Sequence, residues 1–230
     1  MTRINKRMAD LGLASRREAD ALIEAGKVRV NGVRAIVGQQ VADTDAIEVS
    51  GAPTQKRYLA YYKARGVITH SPAEGETDIA AQLAKVYGVT DVAPIGRLDK
   101  DSEGLIILSN DGRITGRLLD PAAAHEKEYE VTVDKRITGP FLKALSGGID
   151  IEGYRTKPAT AVTRGENRFV ITLTEGKKHQ IRRMCAAMGY QVKALKRVRI
   201  MNVALGKLKP NQYRELKGAE LKAFLNQLGL

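Results

Sequence analysis

Residues 96–112 read Gly-Arg-Leu-Asp-Lys-Asp-Ser-Glu-Gly-Leu-Ile-Ile-Leu-Ser-Asn-Asp-Gly. The apolar run Leu105–Leu108 is flanked by a charged loop carrying Arg97, Asp99, Lys100, Asp101 and Glu103, and by the turn former Asn110-Asp111-Gly112. A short continuous apolar run between turn residues is the pattern of a strand covered on both faces. A carboxylate just ahead of such a strand is placed to line a pocket, although Asp in a loop also serves as a turn former or surface charge. Helix spacing resumes over Ile114–Leu119. Upstream, Tyr58–Tyr62 reads as a strand and Asp78–Tyr87 as a helix. Downstream, strands are expected at Tyr129–Val133, Ala159–Thr163, Arg168–Leu173 and Val192–Ile200, and helices at Pro140–Leu145, Gln180–Met188 and 219–228. Strands and helices are mixed without regular alternation, so the expected class is α+β, with a mixed, mainly antiparallel sheet in this larger domain.

The first fifty residues form a separate small unit. Ile4, Met8 and Leu11 recur at helical spacing and Gly12 stops that helix. Ser15 and Glu18 match a capping box, Ala19, Leu22 and Ile23 give the next helix an apolar face, and Gly26 stands at its C-cap. Val28 and Val30 alternate with Lys27 and Arg29, Asn31-Gly32 is a hairpin turn, and further strands are expected at Ala35–Val37 and around Ile47 and Val49. Residues 51–57, Gly-Ala-Pro-Thr-Gln-Lys-Arg, read as a linker. The division is therefore 1–50, 51–57 and 58–230.

Composition narrows the function. Lys and Arg outnumber Asp and Glu by 38 to 26, a net charge of +12 and a pI near 9.8, which points to a nucleic-acid partner. From Gly176 to Arg199 there are eight basic residues and no acidic one. No apolar run approaches the roughly 20 residues of a membrane span, and no apolar core follows the basic N-terminus as in a secretory signal. One cysteine, Cys185, and three histidines argue against disulfides and a metal cluster. A reducing, cytoplasmic setting without metal or cofactor is expected.

Residues 3–49 resemble the S4 RNA-binding module, above all in Ala14-Ser15-Arg16-Arg17-Glu18-Ala19 and Val28-Arg29-Val30-Asn31-Gly32. The resemblance makes Arg16, Arg17, Lys27 and Arg29 the RNA-facing candidates. The segment Gly96-Arg97-Leu98-Asp99, with Ser102 and Gly104-Leu105, is similar to the signature of pseudouridine synthases, in the RsuA/RluB/RluE/RluF branch that carries an S4 module. Lys127-Glu128-Tyr129-Glu130-Val131 resembles that family's tyrosine motif, Gln180-Ile181-Arg182-Arg183-Met184 its basic helix motif, and Gly66-Val67-Ile68 the start of its catalytic domain. Two departures are visible: Lys63-Ala64-Arg65-Gly66 lacks the family's frequent proline, and Lys178 stands where many relatives have another residue.

The resemblance implies isomerisation of uridine to pseudouridine in structured RNA: the N1–C1′ bond breaks, the uracil turns over, and C5 bonds to C1′. It makes Asp99 the essential carboxylate, either as nucleophile or as base at C2′, paired with Arg182. Tyr129 would stack on an extruded uracil, with Leu98 and Ile181 packing beside it. Arg97 and the basic 176–199 segment, Arg183 included, would hold distorted RNA, Arg97 equally serving as a loop anchor. Residue by residue, Tyr129 also suits a plain core position and Arg182 a phosphate contact. His125–Tyr129, Val131–Lys135 and Arg199–Val203 look most like the RluF group, which acts on 23S ribosomal RNA and in which activity on a tRNA anticodon region has also been described. A monomer is implied. The rival reading is a non-catalytic S4-type ribosomal RNA binder.

Overall fold

The computed structural model describes residues 1–51 and 55–230. Helix Ile4–Asp10 buries Ile4 and Met8, while Leu11 falls at its C-cap and lies exposed rather than on the apolar face. Helix Arg16–Glu24 begins on Ser15: the Ser15 hydroxyl accepts the Glu18 N–H, and the Glu18 carboxylate accepts the Ser15 N–H. Asn31 and Gly32 take φ of 50° and 80°, the left-handed pair that a two-residue hairpin needs, and Val30 pairs with Val33 across the turn. The other edge of Val28–Val30 pairs with Ile47–Val49. Residues 35–37 depart from expectation. Strand pairing is confined to Val33–Arg34, Ala35 enters the core while Ile36 and Val37 stay exposed, and the Gln39 side chain takes the Ile36 N–H as the chain turns. Of the expected linker, Ala52, Pro53 and Thr54 lie outside the described residues.

The larger unit is built on a sheet of nine strands. Its main path runs Thr160–Thr163, Arg168–Leu173, Lys127–Val133, Val192–Ile200, Glu103–Ser109, Tyr58–Lys63, Tyr213–Glu215. Neighbours are antiparallel except at the centre, where Glu103–Ser109 and Val192–Ile200 run parallel. The α+β class and mainly antiparallel sheet thus stand.

Coverage explains the sequence pattern. Leu105 and Ile107 face Tyr58, Ala60, Tyr62 and Phe224, while Ile106 and Leu108 face Leu59, Tyr61, Ile79 and Leu83. Both faces are dry, so every position of the run is apolar, each side chain contributing about 1.5–3 kcal/mol of burial. Strand Lys127–Val133 is covered on one face. Tyr129, Val131 and Val133 join Phe169 and Ile171 in a core, while Glu128 and Glu130 pair with Arg199 and Lys196 on the other face.

The Asn110-Asp111-Gly112 segment is a buried junction rather than a surface turn. Asn110 accepts the Arg57 N–H and donates to the Gln55 carbonyl. Asp111, fully buried, accepts the Tyr58 hydroxyl at 2.6 Å and the Arg113 guanidinium at 2.7 Å. A Cβ on Gly112 would lie 2.6 Å from the Ala9 carbonyl oxygen, so helix Ile4–Asp10 of the small unit rests directly on this corner.

Candidate active site

The loop from Gly96 to Ser102 enters the sheet beside the parallel pair, and its backbone is pinned residue by residue. Arg197 Nη1 donates to the Arg97 carbonyl (3.4 Å), the Thr69 hydroxyl to that of Leu98 (2.8 Å), and the Ser102 N–H to that of Asp99 (3.1 Å). The Gly66 N–H donates to the Lys100 carbonyl (2.8 Å), Arg182 Nη2 to that of Asp101 (3.3 Å), and Lys63 Nζ to that of Ser102 (2.7 Å). A carboxylate on a loop whose successive carbonyls are all engaged is held with little freedom, as a reacting group requires.

Asp99 opens onto a cleft of about 650 Å³, within the range of small-molecule sites. Its walls come from both halves of the sheet: Leu98, Tyr129, Ile181 and Leu195 belong to one core cluster, Leu118 and Ile200 to the other. The Asp99 side chain retains 39% exposure, and His179 Nε2 lies 3.4 Å from its Oδ1, an ion pair when the imidazole is protonated. His179 adopts φ of 53° at the start of helix Gln180–Ala187, which turns its ring from the helix toward the loop.

The sequence-derived candidates divide. Arg97, Leu98, Asp99, Tyr129 and Ile181 share the cleft. Leu98, Tyr129 and Ile181 are buried while Arg97 is exposed at the mouth. The expected Asp99–Arg182 ion pair is not formed; among the described residues the side chain paired with Asp99 is His179. Arg182 is spent on the carbonyls of Val192 and Asp101 and on the Ser102 hydroxyl, so it fastens the far half of the same loop to strand Val192–Ile200. Arg183 points away from the cleft, to the Ile151 carbonyl and the Glu152 carboxylate. Arg16, Arg17, Lys27 and Arg29 lie exposed on the small unit.

Three contributors were not singled out for the site by the sequence, Arg197 entering only as one of the eight basic residues of 176–199. Lys63 is fully buried, its Nζ donating to the carbonyls of Ala64, Lys100 and Ser102. Burial pushes its pKa down to about 8, opposed first by the negative charge of Asp99. The available signal was a lysine ending an otherwise apolar strand. Arg197 is 4% exposed and lies two residues after buried Leu195 on a strand, the spacing that faces the same side. Glu175, also buried, accepts hydrogen bonds from the Tyr154 hydroxyl, the Lys157 N–H and Gln180 Nε2, fixing the start of helix Gln180–Ala187; only its position before a basic loop hinted at this.

A family model described as RNA pseudouridylate synthase matches residues 57–187, and one described as S4 domain matches residues 2–47. The chain is 42% identical over 225 residues to the dual-specificity RNA pseudouridine synthase RluF of Escherichia coli (strain K12), covering 95% of this chain and 77% of that protein. It is 36% identical over 232 residues to ribosomal large subunit pseudouridine synthase B of Bacillus subtilis (strain 168), covering 96% and 95%. A crystal structure of a pseudouridylate synthase superposes with a TM-score of 0.72 at 27% identity, covering 99% of this chain and 100% of that one. No helix among the described residues is long and apolar enough to cross a membrane. A family model over more than half the chain and relatives matched along nearly all of it establish that the chain belongs to the RNA pseudouridine synthases that carry an S4 domain, isomerases that convert uridine to pseudouridine in RNA.

Proposed function

We propose that this enzyme isomerises a uridine of structured RNA, in large-subunit (23S) ribosomal RNA, after extruding the nucleotide into the cleft at Asp99. The observation that carries the reading is the pinned, partly solvated Asp99 carboxylate facing a cleft one part of whose wall is formed by Tyr129, Leu98 and Ile181. C1′ and both faces of the base are inaccessible in a stacked helix, so flipping is required, at a cost of a few kcal/mol. Stacking on Tyr129 offsets this by about 1–3 kcal/mol.

The N1–C1′ electron pair leaves with the base. C1′ is satisfied either by an Asp99 oxygen or by loss of the C2′ proton to Asp99. The uracil turns over and C5 bonds to C1′, while Asp99 leaves the sugar or returns the C2′ proton. C5 then releases its proton and N1 gains one, so no atoms are gained or lost. Both routes need an ionised Asp99. Arg182 and Lys63 act as positioning residues that keep the loop still. Exposed Arg16, Arg17, Lys27 and Arg29 present an S4 surface for phosphates, with Arg97 at the cleft mouth.

The ribosomal target is supported by likeness to the Bacillus subtilis large-subunit enzyme, and because RluF is named dual-specificity, tRNA is a second RNA to examine. The test is tritium release from RNA carrying 5-tritiated uridine. Asp99→Ala is expected to abolish release while RNA affinity stays within a few-fold; wild-type release by the variant refutes the assignment. Carbodiimide mapping of pseudouridines in 23S rRNA and tRNA from cells with and without the gene names the target, and an unchanged 23S map refutes the ribosomal reading.

A further inference from the structure

We propose that Arg197, flanked by Lys127, holds the carbonyl edge of the extruded uracil and stabilises the negative charge the base carries once its bond to C1′ has broken. The inference rests on the reading of the cleft given above and adds two residues to its chemistry.

Arg197 lies in the cleft that Asp99 and Tyr129 line. Its Nε donates to the Leu105 carbonyl at 2.7 Å and Nη1 to that of Arg97 at 3.4 Å. Nη2 is buried and has no hydrogen-bond partner among the described residues. A buried donor left open costs about 1–3 kcal/mol, and no acidic side chain among the described residues forms an ion pair with this guanidinium. The buried acid of the same cleft, Glu175, is occupied by Tyr154, Lys157 and Gln180. The backbone is shaped to keep Arg197 there: Gly104 has φ of 109°, and a Cβ on it would lie 2.2 Å from the Arg197 carbonyl oxygen. The ammonium of Lys127, half-buried in the same cleft, makes one hydrogen bond among the described residues, to the His125 carbonyl at 3.1 Å, and an ammonium has three donors to give. The cleft therefore offers open cationic donors and needs an oxygen acceptor from its ligand.

A base carbonyl suits this place better than a phosphate. The surrounding walls, Leu118, Leu195 and Ile200, are apolar, whereas exposed cations at the mouth are free to take the backbone. When the N1–C1′ pair leaves with the uracil, its charge spreads onto O2 and O4. A donor held in place before charge develops on the base contributes to rate rather than to binding. Turning the ring over about the N3–C6 axis exchanges the C2 and C4 carbonyls. The same cations thus meet equivalent oxygens before and after the rotation, holding the free base without fixing its face.

The experiment uses the full chain in excess over a 23S rRNA transcript with 5-tritiated uridine, measuring single-turnover release, RNA affinity by filter binding, and thermal unfolding. Arg197→Ala is expected to lower the rate by about 10²–10³-fold with affinity close to wild type. Millimolar guanidinium is expected to restore part of the loss, with sodium chloride at equal ionic strength as control. Lys127→Met, which removes one backbone contact, is expected to lower the rate about tenfold and decides the matter should Arg197→Ala not fold. A rate close to wild type in either folded variant overturns the proposal. So does a loss of affinity with an unchanged rate at saturating enzyme, which would make these phosphate contacts. Absence of release by the wild-type protein overturns the proposed reaction instead, so the two failures are distinguishable.

Discussion

Replacing Lys63 by methionine removes a charge that the fold holds against its solvation preference. The ammonium is completely buried, and its pKa falls from 10.5 to about 8 because burial outweighs the attraction of Asp99, Glu103 and Asp101. That gap of about 2.5, at about 1.4 kcal/mol for each pH unit, means the folded state carries a cost of about 3 kcal/mol at neutral pH. Methionine has nearly the same length and no charge, so this cost disappears. Against it, the Ser102 carbonyl loses the donor at 2.7 Å, worth about 1–3 kcal/mol; the carbonyls of Ala64 and Lys100 keep the N–H groups of Val67 and Gly66. Stability at pH 7 is therefore expected to stay within about 2 kcal/mol of wild type. The rate of isomerisation is expected to fall by about 10²-fold, because the turn behind Asp99 is unpinned and its buried cation is gone. The sign with pH follows from linkage. Below about 8 both folded and unfolded chains hold the Lys63 proton. Between about 8 and 10.5 the unfolded chain holds a proton that the folded chain has lost, so wild-type stability gains up to about 3 kcal/mol relative to Lys63→Met as pH rises. Urea unfolding at pH 7 and pH 10 and tritium release at pH 7 check these statements. A wild-type rate in the variant, or a stability difference between the two proteins that is the same at both pH values, refutes the reasoning.

Two glycines give further tests. Gly104→Ala is expected to destabilise the fold by about 3 kcal/mol or more, because its Cβ would meet backbone atoms of Arg197 at 2.2 and 2.6 Å and its φ of 109° disfavours any side chain; an unchanged urea midpoint would contradict the close parallel join. Gly112→Ala keeps an ordinary φ of −60° but puts a Cβ 2.6 Å from the Ala9 carbonyl oxygen, so it is expected to loosen the small unit while sparing the sheet. Faster release of the 58–230 fragment by limited proteolysis, with the fragment's own unfolding midpoint unchanged, is the expected result; wild-type cleavage kinetics would argue against the contact.

The elements read correctly from sequence are those specified by contiguous residues. Ser15 and Glu18 satisfy each other across three positions, Asn31-Gly32 supplies its own positive φ, and Leu105–Leu108 announces a strand dry on both faces. Elements defined by distant partners were not legible. Ala93–Ile95 contains Pro94 and exists as a strand because it pairs with Glu103–Ser109; Tyr213–Glu215 is short and polar and is held at the sheet edge by Leu59–Tyr61. The sequence at 35–37 is apolar enough for a strand, but the Gln39 side chain competes for the backbone there. In the site, Asp99, Tyr129, Leu98 and Ile181 were legible as a group because the resemblance covers each motif, and they share one cleft.

By itself the sequence determined the two-part organisation, the α+β class, the RNA-directed charge and the loop that carries Asp99, since each is written in local periodicity, local turn chemistry or bulk composition. The tertiary structure alone decided which basic side chain meets which oxygen. Arg182 goes to the Asp101 carbonyl, Lys63 to that of Ser102, Arg197 to that of Leu105, and His179 to Asp99. These partners come from different strands and loops, brought together by the register of the central sheet. A long cationic side chain accepts any nearby oxygen, so its sequence neighbours do not select among them.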